Sequence, residues 1–321
     1  MAAVDSFHLL YREISRSCSS YFETLALVGA VYTARKAVIL LSDCCALVRV
    51  HFLPRMIPSR KLTQKYGDWA VIYGASEPVA SAYAEELARH GINIIFITQD
   101  GASVRDTAAS LSHTYGVETF VCIADISLGR AASKPIQDTL RGKDVGFLVN
   151  CLEEALASPQ SLIEVPEQDL LDQVNKNIAA ATLMTRLVLP GMVERSRGAV
   201  VNISSGACCR PLHGRVALSA FTGYLDHFSR ALHLEYSNKG IFVQSLIPFQ
   251  IASSRRQPSS SSSREGWFVP RPEVYARHAI STLGVSNRTT GYWPHTLQYG
   301  LMRCIPEWIW ILGSRMLISA S

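Results

Sequence analysis

Four residues with chemical potential each follow a short apolar run. Gly74 follows Ala70–Tyr73, Asp125 follows Phe120–Ala124, Asn150 follows Val145–Val149 and Ser205 follows Ala199–Ile203. A glycine lets a backbone turn tightly and approach a ligand, and the amide, hydroxyl and carboxylate can hydrogen-bond a polar one. Metal chemistry has little support. The eight cysteines include the adjacent pairs Cys44–Cys45 and Cys208–Cys209, but no C-x-x-C and no cysteine–histidine cluster with zinc spacing. Reduced thiols are the default for such a set. Asn287-Arg288-Thr289 matches a glycosylation acceptor, a triplet common by chance.

The elements needed to position these residues alternate. Apolar strands are expected at 70–73, 92–98, 120–124, 145–149, 199–203 and 242–247. Helical patterns fall at 79–90 with Gly91 closing, at 102–115, at 168–193 with a stop near Pro190 and Gly191, and at 218–236. Buried strands alternating with helices imply an α/β fold, a Rossmann-type doubly wound parallel sheet with helices on both faces. Ligands of such sheets sit beyond the carboxyl ends of the strands, where all four residues fall. The chain of 321 residues is 48% hydrophobic and 18% charged, enough for one large core. Its net charge of +5 is spread without a basic cluster, which argues against nucleic-acid binding.

The stretch VNISSGACCRPLHGRVALSAFTGYLD at 201–226 resembles the catalytic segment of the short-chain dehydrogenase/reductase family. In that family a tyrosine stands thirteen residues after the serine, and a lysine four residues later. Ser205 matches the serine, but Leu218 and Thr222 hold the other two positions. Asn177 matches the family's water-holding asparagine. The reaction needs an O–H that moves a proton and a cation that lowers its pKa. Leucine has no proton to move and threonine no charge, so the resemblance implies an inactive member with vestigial Asn177, Ser205, Leu218 and Thr222. Tyr224 projects from another helix face, and the only Tyr-x-x-x-Lys, Tyr32 to Lys36, precedes the first strand.

The resemblance spans residues 66–290 and implies an NADP site. Its Gly-rich loop corresponds to Gly74, Ala75, Ser76, Glu77, Pro78, Val79 and Ala80, where only the first glycine survives. Pro78 lacks an N–H and fixes φ. Ala80 adds a methyl where close approach is expected, and Glu77 brings negative charge. The same residues suit a helix start, with Ser76 as N-cap, Glu77 in the first turn and Pro78 near N1. Asp125 matches an acid beside the adenine, Asn150 the first residue of a cofactor motif, and Thr222 the ribose-binding lysine. Thr98 stands where an acid would favour NAD, and Gln99 where an arginine would favour NADP. Pro248-Phe249-Gln250-Ile251-Ala252-Ser253 stands where the family cradles nicotinamide, with Phe249 for a glycine. NADP is thus implied by resemblance, with weakened binding.

Residues 1–65 read as a targeting or membrane-associated extension, and 291–321 as an aromatic tail. The apolar runs 24–34 and 37–48 are split by Arg35-Lys36, and neither reaches the roughly 20 residues of a spanning helix. An interfacial or hairpin-like contact is the expectation, packing on the core the alternative. Residues 253–264 are serine- and arginine-rich and read as a mobile loop. Relatives such as 17β-hydroxysteroid and 3-ketoacyl reductases sit on membranes and use NADPH. The resemblance implies a mitochondrial scaffold or partner-binding protein, with the endoplasmic reticulum membrane as the alternative address. The partner is a protein, and a homo-oligomer is one form it can take. The other functional reading is a weak NADP(H)-dependent reductase of steroid or acyl carbonyls.

Overall fold

The computed structural model describes residues 2–56, 62–99, 101–124, 130–152, 161–252 and 266–319. The chain forms two compact units, Met1–Arg49 and Val50–Ser321.

The first unit is almost wholly one helix, α1 (Ala2–His51). The expected break at Arg35-Lys36 is absent. Arg and Lys are good helix formers, and no proline occurs before Pro54, so nothing local stops the helix. Leu25, Leu27, Val28, Val31, Leu40 and Leu41 are all exposed. The helix is long and apolar enough to cross a membrane, with a window of mean hydropathy 1.7. The two-run hairpin expectation is corrected on this point: side-chain charge was weighed there, whereas backbone propensity decides continuity.

The second unit carries α2 (Leu53–Met56), α3 (Leu62–Tyr66), α4 (Pro78–Arg89), α5 (Ala102–Tyr115), α6 (Arg130–Leu140) and α7 (Glu167–Val174). A π turn (Asn175–Ala179) leads into α8 (Ala180–Glu194), followed by α9 (Val216–Tyr236), α10 (Pro272–Ser281), α11 (Trp293–Cys304) and α12 (Glu307–Ser319). Its strands are β1 (Trp69–Tyr73), β2 (Asn93–Thr98), β3 (Thr119–Ile123), β4 (Val145–Cys151), β5 (Gly198–Ile203), β6 (Ile241–Leu246) and β7 (Arg288–Thr289). All pair in parallel, in the order β3-β2-β1-β4-β5-β6-β7. This is the doubly wound order, reversing direction between β1 and β4.

Strand side chains alternate between faces, so the sheet builds two cores. Ile72, Phe96, Phe147 and Val149 pack with Tyr83, Leu87 and Tyr275 on one face. Val71, Ile95, Leu148 and Val200 pack with Met184, Val188 and Met192 on the other. Pro190 lies inside α8 and does not end it. Val188, Leu189 and Met192 are buried around it, and that burial outweighs the cost of about 3 kcal/mol for an interior proline. The helix closes at Arg195 instead.

Candidate active site

The loop after β1 sits at the carboxyl edge of the sheet, beside the switch point. Gly74 has φ +80°, and a Cβ there would lie 2.6 Å from the Cys151 carbonyl oxygen. Only glycine tolerates both conditions. Next, α4 starts differently from the expectation. Its N-cap is Glu77 (φ −80°, ψ 133°), without a side-chain capping bond, and Pro78 is N1. Proline forces the residue before it into extended backbone, so the cap falls on Glu77 and not Ser76. Ala80 is fully buried among the core residues below the helix. Its methyl therefore affects helix–sheet packing, not the phosphate path.

A cleft of about 260 Å³ opens beside this loop, lined by Ala75, Ser76, Pro78, Ser81, Glu85 and Glu273 among others. A helix N-terminus binds phosphate through free N–H groups in a positive field. Here proline removes one donor, and Glu85 and Glu273 from α4 and α10 line the same cleft. The residues present do not fit a dinucleotide pyrophosphate. Val79 is half-buried against the core. Asp125, Asp100, Glu153 and Ser253, and the low-complexity segment 253–264, lie outside the described residues.

Asn150 is buried in the core. It points to the opposite face from Cys151, and its Nδ2 donates to Asn202 Oδ1 (2.8 Å) and Thr185 Oγ1 (3.4 Å). Asn202 in turn donates to Ser229 Oγ (2.8 Å). The amide nitrogen of Asn150, which resemblance gave to the cofactor, joins a polar chain inside the core, while its Oδ1 accepts no hydrogen bond among the described residues.

The catalytic positions have likewise found other partners. Ser205 caps a short 3-10 turn (Gly206–Cys208), its Oγ accepting from the Ala207 N–H at 3.4 Å. Asn177 is buried in the π turn, an irregularity common at functional sites. Leu218 packs with Leu152, Ala181, Phe221 and Leu225, alongside Ile178 from the π turn. Thr222 is fully enclosed, and its Oγ1 donates to the carbonyls of Leu218 (2.8 Å) and Ser219 (3.0 Å). Tyr224, the nearest phenol in sequence, pairs with Thr182 Oγ1 at 2.6 Å and stacks on Phe228. Among the described residues, no group of three His, Cys, Asp or Glu side chains could hold a metal.

The nicotinamide segment is filled as well. The Phe249 ring lies against Gly206, where a Cβ would come within 2.9 Å of it. The Phe249 N–H donates to His295 Nδ1 (3.3 Å), and His295 Nε2–H donates to the Phe268 carbonyl (3.2 Å). Burial pushes His295 down to about 4, with hydrogen bonds to the Phe268 and Gln250 carbonyls opposing. His278, in edge contact with Tyr292, is also held near 4, by burial and then by Arg55 and Arg277. Unfolded histidine titrates near 6.5. The unfolded chain therefore binds more protons between these values, and stability, complete above about pH 6.5, falls as pH drops toward 4. Thermal melts at pH 7.5 and pH 5 are expected to show this loss, and His295→Gln to flatten it. Equal melting temperatures at both pH values for the unmodified protein would refute the assignment.

Glu85, Glu273, Thr182 and His295 were not visible as site residues in the sequence. They come from helices far apart in the chain: Glu85 and Glu273 share one cleft, Thr182 meets Tyr224, and His295 on α11 bonds Phe249 and Phe268.

Residues 68–264 match the family model for short chain dehydrogenase. The chain is 56% identical to inactive hydroxysteroid dehydrogenase-like protein 1 of Danio rerio, covering 100% of both chains. It is 52% identical to the Homo sapiens protein so named, covering 99% of this chain and 96% of that one. Very-long-chain 3-oxoacyl-CoA reductase of Homo sapiens is 35% identical, over 76% of this chain and 78% of the reductase. A solved 7beta-hydroxysteroid dehydrogenase shares the fold with a TM-score of 0.67 and 22% identity, covering 76% of this chain and 95% of that one. A short-chain dehydrogenase from Sphingobium yanoikuyae, solved with NADPH, gives 0.59 and 23%, covering 74% and 96%. The doubly wound sheet, the matched model and the full-length relatives agree: the chain belongs to the short-chain dehydrogenase family.

Proposed function

We propose that this protein is a pseudo-enzyme, a short-chain dehydrogenase fold that works as a membrane-held scaffold or partner-binding protein. One observation carries the reading: both reactive positions have become packing. Leu218 belongs to an apolar cluster, and Thr222 is enclosed with its hydroxyl bonded to its own helix. Names of the full-length relatives that include the word inactive support it. Large exposed side chains on the second unit, Trp267, Leu301 and Trp308, suit a binding role. The exposed apolar α1 supports membrane association, with the mitochondrion as the expected address and the endoplasmic reticulum membrane as the alternative.

The test is calorimetric titration of the purified protein with NADPH, paired with assays on ketosteroids and 3-ketoacyl thioesters. No saturable heat and no turnover above background are expected. Tight binding with turnover would restore the weak-reductase reading. Pro78→Gly supplies a backbone donor and is expected to raise dinucleotide affinity. Ala80→Gly is left out of that variant, because it removes a methyl from the core. Equal heats for Pro78→Gly and the unmodified protein would show that the lost donor is not what weakens the site.

A further inference from the structure

The turn after Ser205 carries two adjacent thiols that neither the proposed function nor the family's chemistry uses. Cys208 and Cys209 are free, half-buried, and place their Sγ atoms 3.6 Å apart. Neighbouring residues on a helix diverge by about 100° and do not face one another. Here the chain leaves the 3-10 turn at Cys209, and the two side chains meet. Beyond them, Arg288 approaches the pair while held by Asp226 at 2.9 Å. We propose that Cys208–Cys209 is a modification site, a vicinal dithiol that hydroperoxides close reversibly into a disulfide.

The Cys209 thiolate attacks one peroxide oxygen, an S–O bond forms as the O–O bond breaks, and the departing hydroxide takes up a proton as water. Cys208 sulfur then attacks the Cys209 sulfenic acid, losing its proton. The S–S bond forms, the S–O bond breaks, and a second water leaves. The two thiols give up two electrons, and the peroxide is reduced to two waters. Cys209 is the first nucleophile on electrostatic grounds as well. The hydrogen bond shared with Cys208, with help from Arg288, holds its thiol below the usual range against the effects of burial and Asp226. The same hydrogen bond and burial push Cys208 up. Thiolate character sets reactivity. Adjacent Cα atoms lie about 3.8 Å apart, shorter than the roughly 4.4–6.8 Å that bridges prefer. The product is therefore strained and easily reduced, as a reversible mark must be.

The chain supplies its own comparison. Cys44–Cys45 is also a vicinal pair, but both side chains are exposed on α1, where neighbours diverge. The full-length protein, reduced in detergent, is treated with an equimolar amount of hydrogen peroxide, alkylated and mapped by mass spectrometry. The peptide holding Cys208–Cys209 is expected to lose both alkylation marks and two hydrogens, and to regain the marks after dithiothreitol. Cys44–Cys45 is expected to stay alkylated. In Cys208→Ser, dimedone should trap a sulfenic acid on Cys209. Full alkylation of Cys208 and Cys209 after peroxide would overturn the proposal. So would bridging of Cys44–Cys45 at an equal rate, or passage of Cys209 to sulfinic acid with no bridge formed.

Discussion

Combining Leu218→Tyr with Thr222→Lys is expected to restore no ketone reduction and to destabilise the second unit. The two substitutions return the residue types that the chemistry needs, but position 222 no longer has room for a lysine. Thr222 is fully enclosed, so a lysine there must either bury an ammonium without a partner or deprotonate. Burying an unpaired charge is among the few changes that cost on the order of 3 kcal/mol or more. For a unit of this size, that corresponds to a melting temperature roughly 6–12 °C lower. Leu218 is only half-buried at the margin of the cluster of Leu152, Phe221 and Leu225, so a tyrosine there adds less to the cost than the lysine. A thermal melt with an NADPH-coupled assay on the same preparation checks both halves. Measurable turnover, or a melting temperature unchanged from the parent, would show that position 222 accommodates a lysine.

Deletion of residues 1–49 is expected to release the protein from membranes almost completely. These residues form a unit of their own, so their loss leaves the sheet and its two cores intact. They also carry the long run of exposed apolar side chains on α1. An 18-residue helical window spans about 27 Å, close to the roughly 30 Å of a bilayer's hydrocarbon core. Carbonate extraction of cells expressing the full-length and truncated forms is the measurement. A reporter fused to residues 1–60 tests the mitochondrial address directly. If the truncated form still pellets with membranes and the reporter stays diffuse, α1 is not the anchor, and exposed Trp308 on α12 becomes the better candidate.

Strands β1 to β6 were legible in the sequence because each contains a short apolar run, the mark of a strand buried on both faces, although edge strand β3 leaves Phe120 and Ile123 exposed. β7 was not, since Arg288–Thr289 is too short to carry a pattern. α6 was missed because Pro135 and a polar sequence hide it. The π turn at Asn175–Ala179 has no local signal, and α8 passes a proline that local rules read as a stop. At the site, sequence identified what was missing at 218 and 222 but not what those residues do now. That depends on neighbours supplied by α8, the π turn and the rest of α9. Asn150 shows the same limit: its position at a strand end was visible, but the face it points to was set by strand alternation and by Asn202 opposite.

That Asn150–Asn202 pair also has a consequence for folding fidelity. The two residues are register partners on β4 and β5, and Thr185 and Ser229 flank them from α8 and α9. Apolar side chains on a parallel sheet are nearly interchangeable, so a slip by two residues would keep every hydrophobic face inward. The polar chain forbids it, because each buried amide or hydroxyl left without its partner costs about 1–3 kcal/mol. The four side chains act as a key that only one alignment of the sheet's central strands can turn, and that service persists whether or not anything is ever reduced at its edge.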